Sequence, residues 1–535
     1  MQTALHNNKN EEGLEIKIEE FGAKGEDLQQ AASVALRNAG VLKYLKDTRH
    51  RLLSIEALSL DEEAKRSERS SFSDHYLATV YDYTNNRTIF IKGSIGKREV
   101  LEIEESSIQP LPSPDEFAEA VEIIKKHKEF SSAMKENQLS AYQGMPAIIT
   151  EELPDGRSER TIAVILVSKQ RTIAHEIVGV NMNRGKVVRY ENGAPRSSEM
   201  GPQLCGVPAV SDGGPAKGTP GQANVTVKVG NTIIWQFQVI RPAASSGIAG
   251  SGVELRHVKY KGKTVLYRAH VPILNVKYDQ DACGPYRDWQ WQEHLFEANG
   301  VDKAPGIRLC NSPAKTILDS NSDAGNFHGV AIYVKGQEVV LVSEMQAGWY
   351  RYISEWRLHT NGTIKPRFGF GATNNSCVCN VHHHHAYWRL DFDIETASNN
   401  VVREYNNPPI IGSSSYHTKN YEIRRLKDKN HKRHWEVKNA SSGNGYAIIP
   451  GANDGIADNT FGYGDAWILK YHGNELDDGI PALGAPAQAQ LDKFLTGENI
   501  FQKDVVIWYG AHFTHDINNE GSPEVVGPEL KVIKW

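Results

Sequence analysis

The stretch CVCNVHHHHAYWRLDFD, residues 377–393, carries four consecutive histidines in the interior of the chain, where an affinity tag does not sit. From His382 onward it reads as a β-strand, whose successive side chains face opposite sides. Even positions then place His382 and His384 beside Ala386, Trp388, Leu390 and Phe392, an apolar face that a sheet buries. Odd positions place His383 and His385 beside Tyr387, Arg389, Asp391 and Asp393 on a polar face. Two imidazoles on a buried face need partners, and either a hydrogen-bonded histidine pair or a shared transition metal supplies them.

The surroundings of this strand point to a large β-sandwich. Residues 223–535 show short β-branched and aromatic runs punctuated by Gly, Asn and Asp, with little helical periodicity. Upstream, residues 196–222 are rich in Gly, Pro and Ser and suit a linker. Before that, one pattern occurs twice, giving two small α+β domains over 15–108 and 109–195. In the first, Leu28, Ala31, Ala32, Ala35 and Leu36 recur at helical spacing. Tyr76–Tyr83 and Thr88–Lys92 flank Asn85-Asn86 as a hairpin, with Val100–Ile103 as a further strand. The second opens on Ser113-Pro114-Asp115-Glu116, a cap, a first-turn proline and a Glu three residues on. Phe117, Ala120, Val121 and Ile124 form its stripe, and strands are expected at 147–150, 161–167, 176–181 and 186–190.

Composition narrows the function classes. Lys plus Arg total 60 against 65 Asp plus Glu, so a net charge of −5 makes no case for nucleic acid or an anionic membrane as the main partner. Residues 1–21 are polar and acidic without the apolar core of a secretory signal, and no apolar run approaches the ~20 residues that span a bilayer. A cytoplasmic location is expected, or a periplasmic or secreted one if the sequence is already processed. Five cysteines are too few for a disulfide scaffold. Cys377 and Cys379 read as soft metal ligands, as a disulfide with another cysteine such as Cys310, or as buried thiols, a structural role being favoured. Glycine-rich Gly247–Gly252 has no helix pattern after it and reads as a turn rather than a nucleotide loop.

A third imidazole is available at the C-terminus. Asp504–Tyr509 reads as a strand leading into Gly510-Ala511-His512-Phe513-Thr514-His515, and either histidine completes a three-nitrogen site suited to copper or zinc.

With these residues in view, the sequence resembles the copper amine oxidases, topaquinone enzymes that oxidise primary amines, over most of 109–535. His382-x-His384 followed by Arg389-Leu390-Asp391 looks like the family's His-x-His segment, which supplies two copper ligands. The ungapped match from Asp504 through Trp508 to His515, continued at Glu520 and Pro523, favours His515 over His512 as the third. The family's cofactor tyrosine lies in an N-Y-[D/E]-Y motif. Here Trp349-Tyr350-Arg351-Tyr352, spaced without a gap from Gly362-Thr363-Ile364, makes Tyr350 the topaquinone precursor, with Trp349 and Arg351 replacing the amide and the acid. Glu297 takes the position of the family's catalytic aspartate, and Tyr278 that of a tyrosine hydrogen-bonded to the quinone. Asp391, Asp393 and Asp504, with the carbonyls of Phe392 and Val505, resemble a peripheral site for calcium or a similar hard cation.

The resemblance implies a mainly β fold with α+β modules: two small cystatin-like domains, then a β-supersandwich that forms a homodimer. It implies oxidative deamination of a small primary amine by dioxygen, with an aldehyde, ammonia and hydrogen peroxide as products and Glu297 as general base. Trp349, Arg351 and the cysteine pair keep two alternatives open. One is a quinone-free copper oxidoreductase or peptide-modifying enzyme, and the other is a degenerate copper-binding homologue.

Overall fold

The structure, a computed structural model, describes residues 13–59, 65, 72–149, 153–168, 176–189, 205–210, 214–279, 283, 286–457, 462–473, 475–480, 489–516 and 525–535. Thr150, Tyr190, the linker residues 196–204 and 211–213, Glu520 and Pro523 lie outside the described residues.

The duplicated pattern folds as two modules, each a helix followed by a four-stranded antiparallel sheet in sequential order. The first pairs the helix Gly25–Arg37 with strands His50–Ser59, Phe72–Asp82, Arg87–Ser94 and Glu99–Ser106. Leu28, Ala31, Ala32 and Ala35 are its buried stripe. The second pairs Pro114–Lys126 with Leu139–Ile149, Thr161–Ser168, Glu176–Asn181 and Lys186–Val188. Its helix is capped by Ser113 Oγ, which accepts from the Glu116 amide at 3.2 Å. Glu116 is itself buried, where its carboxylate accepts from Arg160 at 2.5 and 2.7 Å and from the Tyr83 hydroxyl of the first module at 2.6 Å.

One strand departs from the expected domain boundary. Leu14–Glu20 lies within 15–108 for all but its first residue, yet it pairs antiparallel with Gln222–Val229 at one edge of the large β-domain. Its alternation explains this: Leu14, Ile16 and Ile18 pack on the large core, while Glu15, Lys17 and Glu19 fall between them.

The large domain consists of a ten-stranded and a twelve-stranded sheet that share one apolar core, including Trp235, Trp289, Trp356, Trp388 and Trp435. In the first sheet, Lys263–Tyr278, His382–Phe392 and Val505–His515 are adjacent antiparallel neighbours. In the second, Glu338–Ala347, Tyr350–His359 and Ile364–Ala372 stand side by side. The Ala347–Tyr350 pair closes a two-residue hairpin in which Gly348 has φ +59°, a conformation glycine adopts without a Cβ clash. Tyr350 therefore begins its strand directly after a tight turn.

Two disulfides, Cys205–Cys379 and Cys283–Cys377, tie other segments to the short 3-10 turn Ser376–Cys379 just ahead of His382. The cysteine pair is thus structural, and Cys310 is the free, buried thiol rather than a bridge partner. Among the described residues, no helix is long and apolar enough to cross a membrane.

Candidate metal and tyrosine centre

The register of three strands lines up part of the site. Tyr278 stands opposite His382, and His382 opposite His515. The ring centroids of His382 lie 4.9 Å from His384 and 4.7 Å from His515, and Phe513 stacks on His384 at 4.9 Å. Tyr350 arrives from the opposite sheet. Its ring is 5.2 Å from His384, 5.8 Å from His382 and 6.5 Å from Tyr278, against which it stacks, with Phe370 at 5.0 Å.

The polar atoms that converge here lack protein partners. His382 Nε2, His384 Nε2, His515 Nδ1 and the Tyr350 hydroxyl are all buried without a hydrogen bond. Each such atom costs about 1–3 kcal/mol if left unsatisfied, so four together call for a ligand. His382 Nδ1 lies 2.7 Å from the Asn380 carbonyl and must donate to it, which leaves the lone pair on Nε2. Burial pulls the His382 imidazole down to about 3 and His384 well below its ordinary range, and it lowers His515 as well. All three rings are neutral at physiological pH, the form that binds metal. Three neutral imidazoles suit copper or zinc, so the residues present fit a copper ion.

His512 is not part of this group. It pairs across the strands with His385 on the opposite face, Nδ1 to Nδ1 at 2.6 Å, and its Nε2 lies 2.9 Å from Asp465. His383 lies on that same face, with its Nδ1 2.9 Å from the Thr514 hydroxyl; the face read as polar is itself buried at His385, Tyr387, Arg389 and Asp391.

Of the two residues that depart from the cofactor motif, Arg351 points away from the Tyr350 ring, whereas Trp349 lies beside it with ring centroids 5.8 Å apart. Arg351 is buried on the other face of its strand, donating to Asp323 at 2.6 Å and to the Gly348 and Tyr350 carbonyls at 3.1 Å. Beside that pair lie His294 and Glu344. Trp349 occupies the hairpin turn and donates its indole N–H to the Tyr278 hydroxyl at 3.2 Å. Having accepted there, Tyr278 retains its own proton for donation.

Glu297 is not brought to the cluster. Its side chain is 43% exposed and pairs with Lys315 at 3.2 Å, and its backbone bridges to the same residue. The carboxylate near the site is Asp288, which the sequence reading missed. Its Oδ2 accepts from the Tyr352 hydroxyl at 2.5 Å, and that hydroxyl lies 3.5 Å from His384 Nδ1. Asp288 Oδ1 is buried without a partner, and burial pushes the carboxyl up to about 7 against the pull of Tyr352 and Arg287. One signal was legible: an acidic residue within Tyr286-Arg287-Asp288-Trp289-Gln290-Trp291 sits among aromatics that must be buried.

The three aspartates expected to hold a hard cation do converge. At their centre stands the ammonium of Lys65, 2.6 Å from Asp391, 2.8 Å from Asp504 and 3.1 Å from Asp393. Burial pulls the Lys65 ammonium down, but the three carboxylates outweigh it and hold the proton more firmly than in water.

Residues 321–532 match a family model described as copper amine oxidase, enzyme domain. Among solved structures, a copper-containing benzylamine oxidase from Hansenula polymorpha superposes with a TM-score of 0.58 at 12% identity, over 95% of this chain and 96% of its own. An Aspergillus nidulans amine oxidase gives 0.59 at 13%, over 96% and 89%. A Pichia pastoris lysyl oxidase gives 0.60 at 12%, over 96% and 91%. At such identities the likeness is one of fold. No curated protein matches the sequence.

Proposed function

We propose that this chain, which belongs to the copper amine oxidase family, oxidises a small primary amine to its aldehyde with release of ammonia and hydrogen peroxide, through a topaquinone derived from Tyr350. The observation that carries this reading is the buried convergence of Tyr350 with three imidazole nitrogens that have no protein partner. His382, His384 and His515 would hold copper, which supplies the oxygen chemistry for maturing Tyr350 and for turnover, the matured quinone accepting the substrate's electrons.

The chain's own groups divide the remaining work. Asp288, rather than the exposed Glu297, is the general base: a carboxyl at about 7 with a free oxygen takes a proton and returns it near neutral pH. Tyr352 fixes that carboxylate by its hydrogen bond. Tyr278, held by Trp349, presents its hydroxyl proton beside the Tyr350 ring. Apolar walls from Phe370 and Phe513 exclude water around the histidines.

The quinone-free alternative loses most of its motivation, because Arg351 faces Asp323 and both cysteines are in disulfides. Two disulfides also support an oxidising compartment, the periplasmic or extracellular expectation over the cytoplasmic one. The assembly proposed is a homodimer, which light scattering tests. The decisive experiment is peptide mass spectrometry across Tyr350 after copper loading in air, paired with phenylhydrazine titration of the visible quinone band. Oxygen incorporated at Tyr350 is expected, and an unchanged mass would overturn the reading.

A further inference from the structure

The Asp391–Asp393–Asp504 triad sits where a divalent cation is expected, yet it is already filled by a side chain of the same polypeptide. Lys65 donates to Asp391 at 2.6 Å and to Asp504 at 2.8 Å, and its Nζ lies 3.1 Å from Asp393 as an ion pair. The lysine side chain is only 3% exposed. Its Nζ also lies 3.7 Å from the ring centroid of Tyr471 and 5.1 Å from that of Tyr267, so aromatic faces close the site. Lys65 sets one positive charge among the three aspartates, and Arg389, 3.5 Å from Asp391, adds a second. A calcium ion takes six to eight oxygen ligands at about 2.3–2.6 Å, and it has no room while Nζ occupies the centre.

We propose that Lys65 is a built-in replacement for the peripheral cation, so that this chain binds no divalent metal at the triad and instead uses the lysine to clamp the β-domain. The position of the clamp gives it a role. Asp391 lies near the far end of the strand that begins with His382 and His384, and Asp504 immediately precedes the strand that ends in His515. Lys65 thus joins the ends of both histidine-bearing strands opposite the candidate copper site. A metal clamp dissociates when free calcium falls, whereas a lysine is always present.

The proposal is tested by terbium luminescence, sensitised through the neighbouring tyrosines, and by calcium calorimetry on the full chain. Wild-type protein is expected to show no stoichiometric binding that depends on Asp393. Lys65→Ala should gain one terbium or calcium site, at least 100-fold tighter than any wild-type binding, and Lys65→Ala combined with Asp393→Asn should lose it. Lys65→Arg should stay blind to calcium. If Lys65→Ala folds poorly, a rise in its unfolding midpoint with calcium, absent in the double variant, supports the same conclusion. One equivalent of calcium bound by wild type and abolished by Asp393→Asn would overturn the proposal. So would a folded Lys65→Ala that gains no site.

Discussion

The Tyr352 hydroxyl donates to Asp288 at 2.5 Å in a pocket from which both side chains are shut off from solvent. Tyr352 follows Tyr350 by two residues on one strand, so both rings face the histidines while Asp288 approaches from a separate loop.

That pairing predicts a pH profile. Burial raises the Asp288 carboxyl to about 7, so the base form is present above that value and lost as pH falls through it. The kcat/KM for amine oxidation should fall about tenfold per unit below ~7, and Asp288→Asn should lower kcat by ~100-fold or more. The shift acts on stability with the opposite sense. Between 3.8 and about 7 the folded chain keeps a proton that the unfolded chain releases, so this contribution is fully present below 3.8 and disappears as pH rises through that window.

Glu297 supplies the control. Exposed and paired only with surface partners, Glu297→Gln should change kcat by less than about twofold, in line with substitutions outside a site. A large loss in Glu297→Gln with a small one in Asp288→Asn would reverse the assignment.

Arg351 is predicted to serve the fold. Arg351→Met leaves the Asp323 carboxylate buried beside Glu344 without its guanidinium and should cost about 3–5 kcal/mol, read as a drop in the denaturant midpoint. The visible quinone band per folded molecule should be retained.

Metal removal should be felt as lost stability. A chelator that strips copper restores buried, unsatisfied nitrogens on His382, His384 and His515. Metal at a hundred times its Kd should then return about 2.7 kcal/mol, measured as a rise in the thermal midpoint that is absent in His384→Ala.

Peptide mapping without reductant should recover Cys205 linked to Cys379 and Cys283 linked to Cys377. Only Cys310 should alkylate after denaturation.

The sequence was most legible where periodicity is strict. Alternation in His382–Phe392 placed His382 and His384 on one face and His383 and His385 on the other, which the structure keeps, but the second face is buried as well from His385 onward, which alternation alone does not reveal. The repeated helix starts were readable because caps and stripes are local. The strand Leu14–Glu20 was not, because its partner lies more than 200 residues away and nothing local names it. The proposed base was hidden for a similar reason. Glu297 matched a motif by position, whereas Asp288 is chosen by packing against Tyr352, a contact across 64 residues. The partner of the aspartate triad was equally hidden, since Lys65 lies 326 residues from Asp391.

Four identical residues in a row cannot specify by themselves which of them faces inward. A slip of one position in His382–His385 would still offer a histidine pair to the core, so the run alone is degenerate in phase. Phase is set at its two ends. Downstream, Trp388, Leu390 and Phe392 would be turned out of the core by such a slip. Upstream, two covalent bridges at Cys377 and Cys379 stop the chain from being fed through. The bridges therefore act as an index mark for the strand, and a variant lacking them would risk presenting the wrong histidines while keeping the right composition.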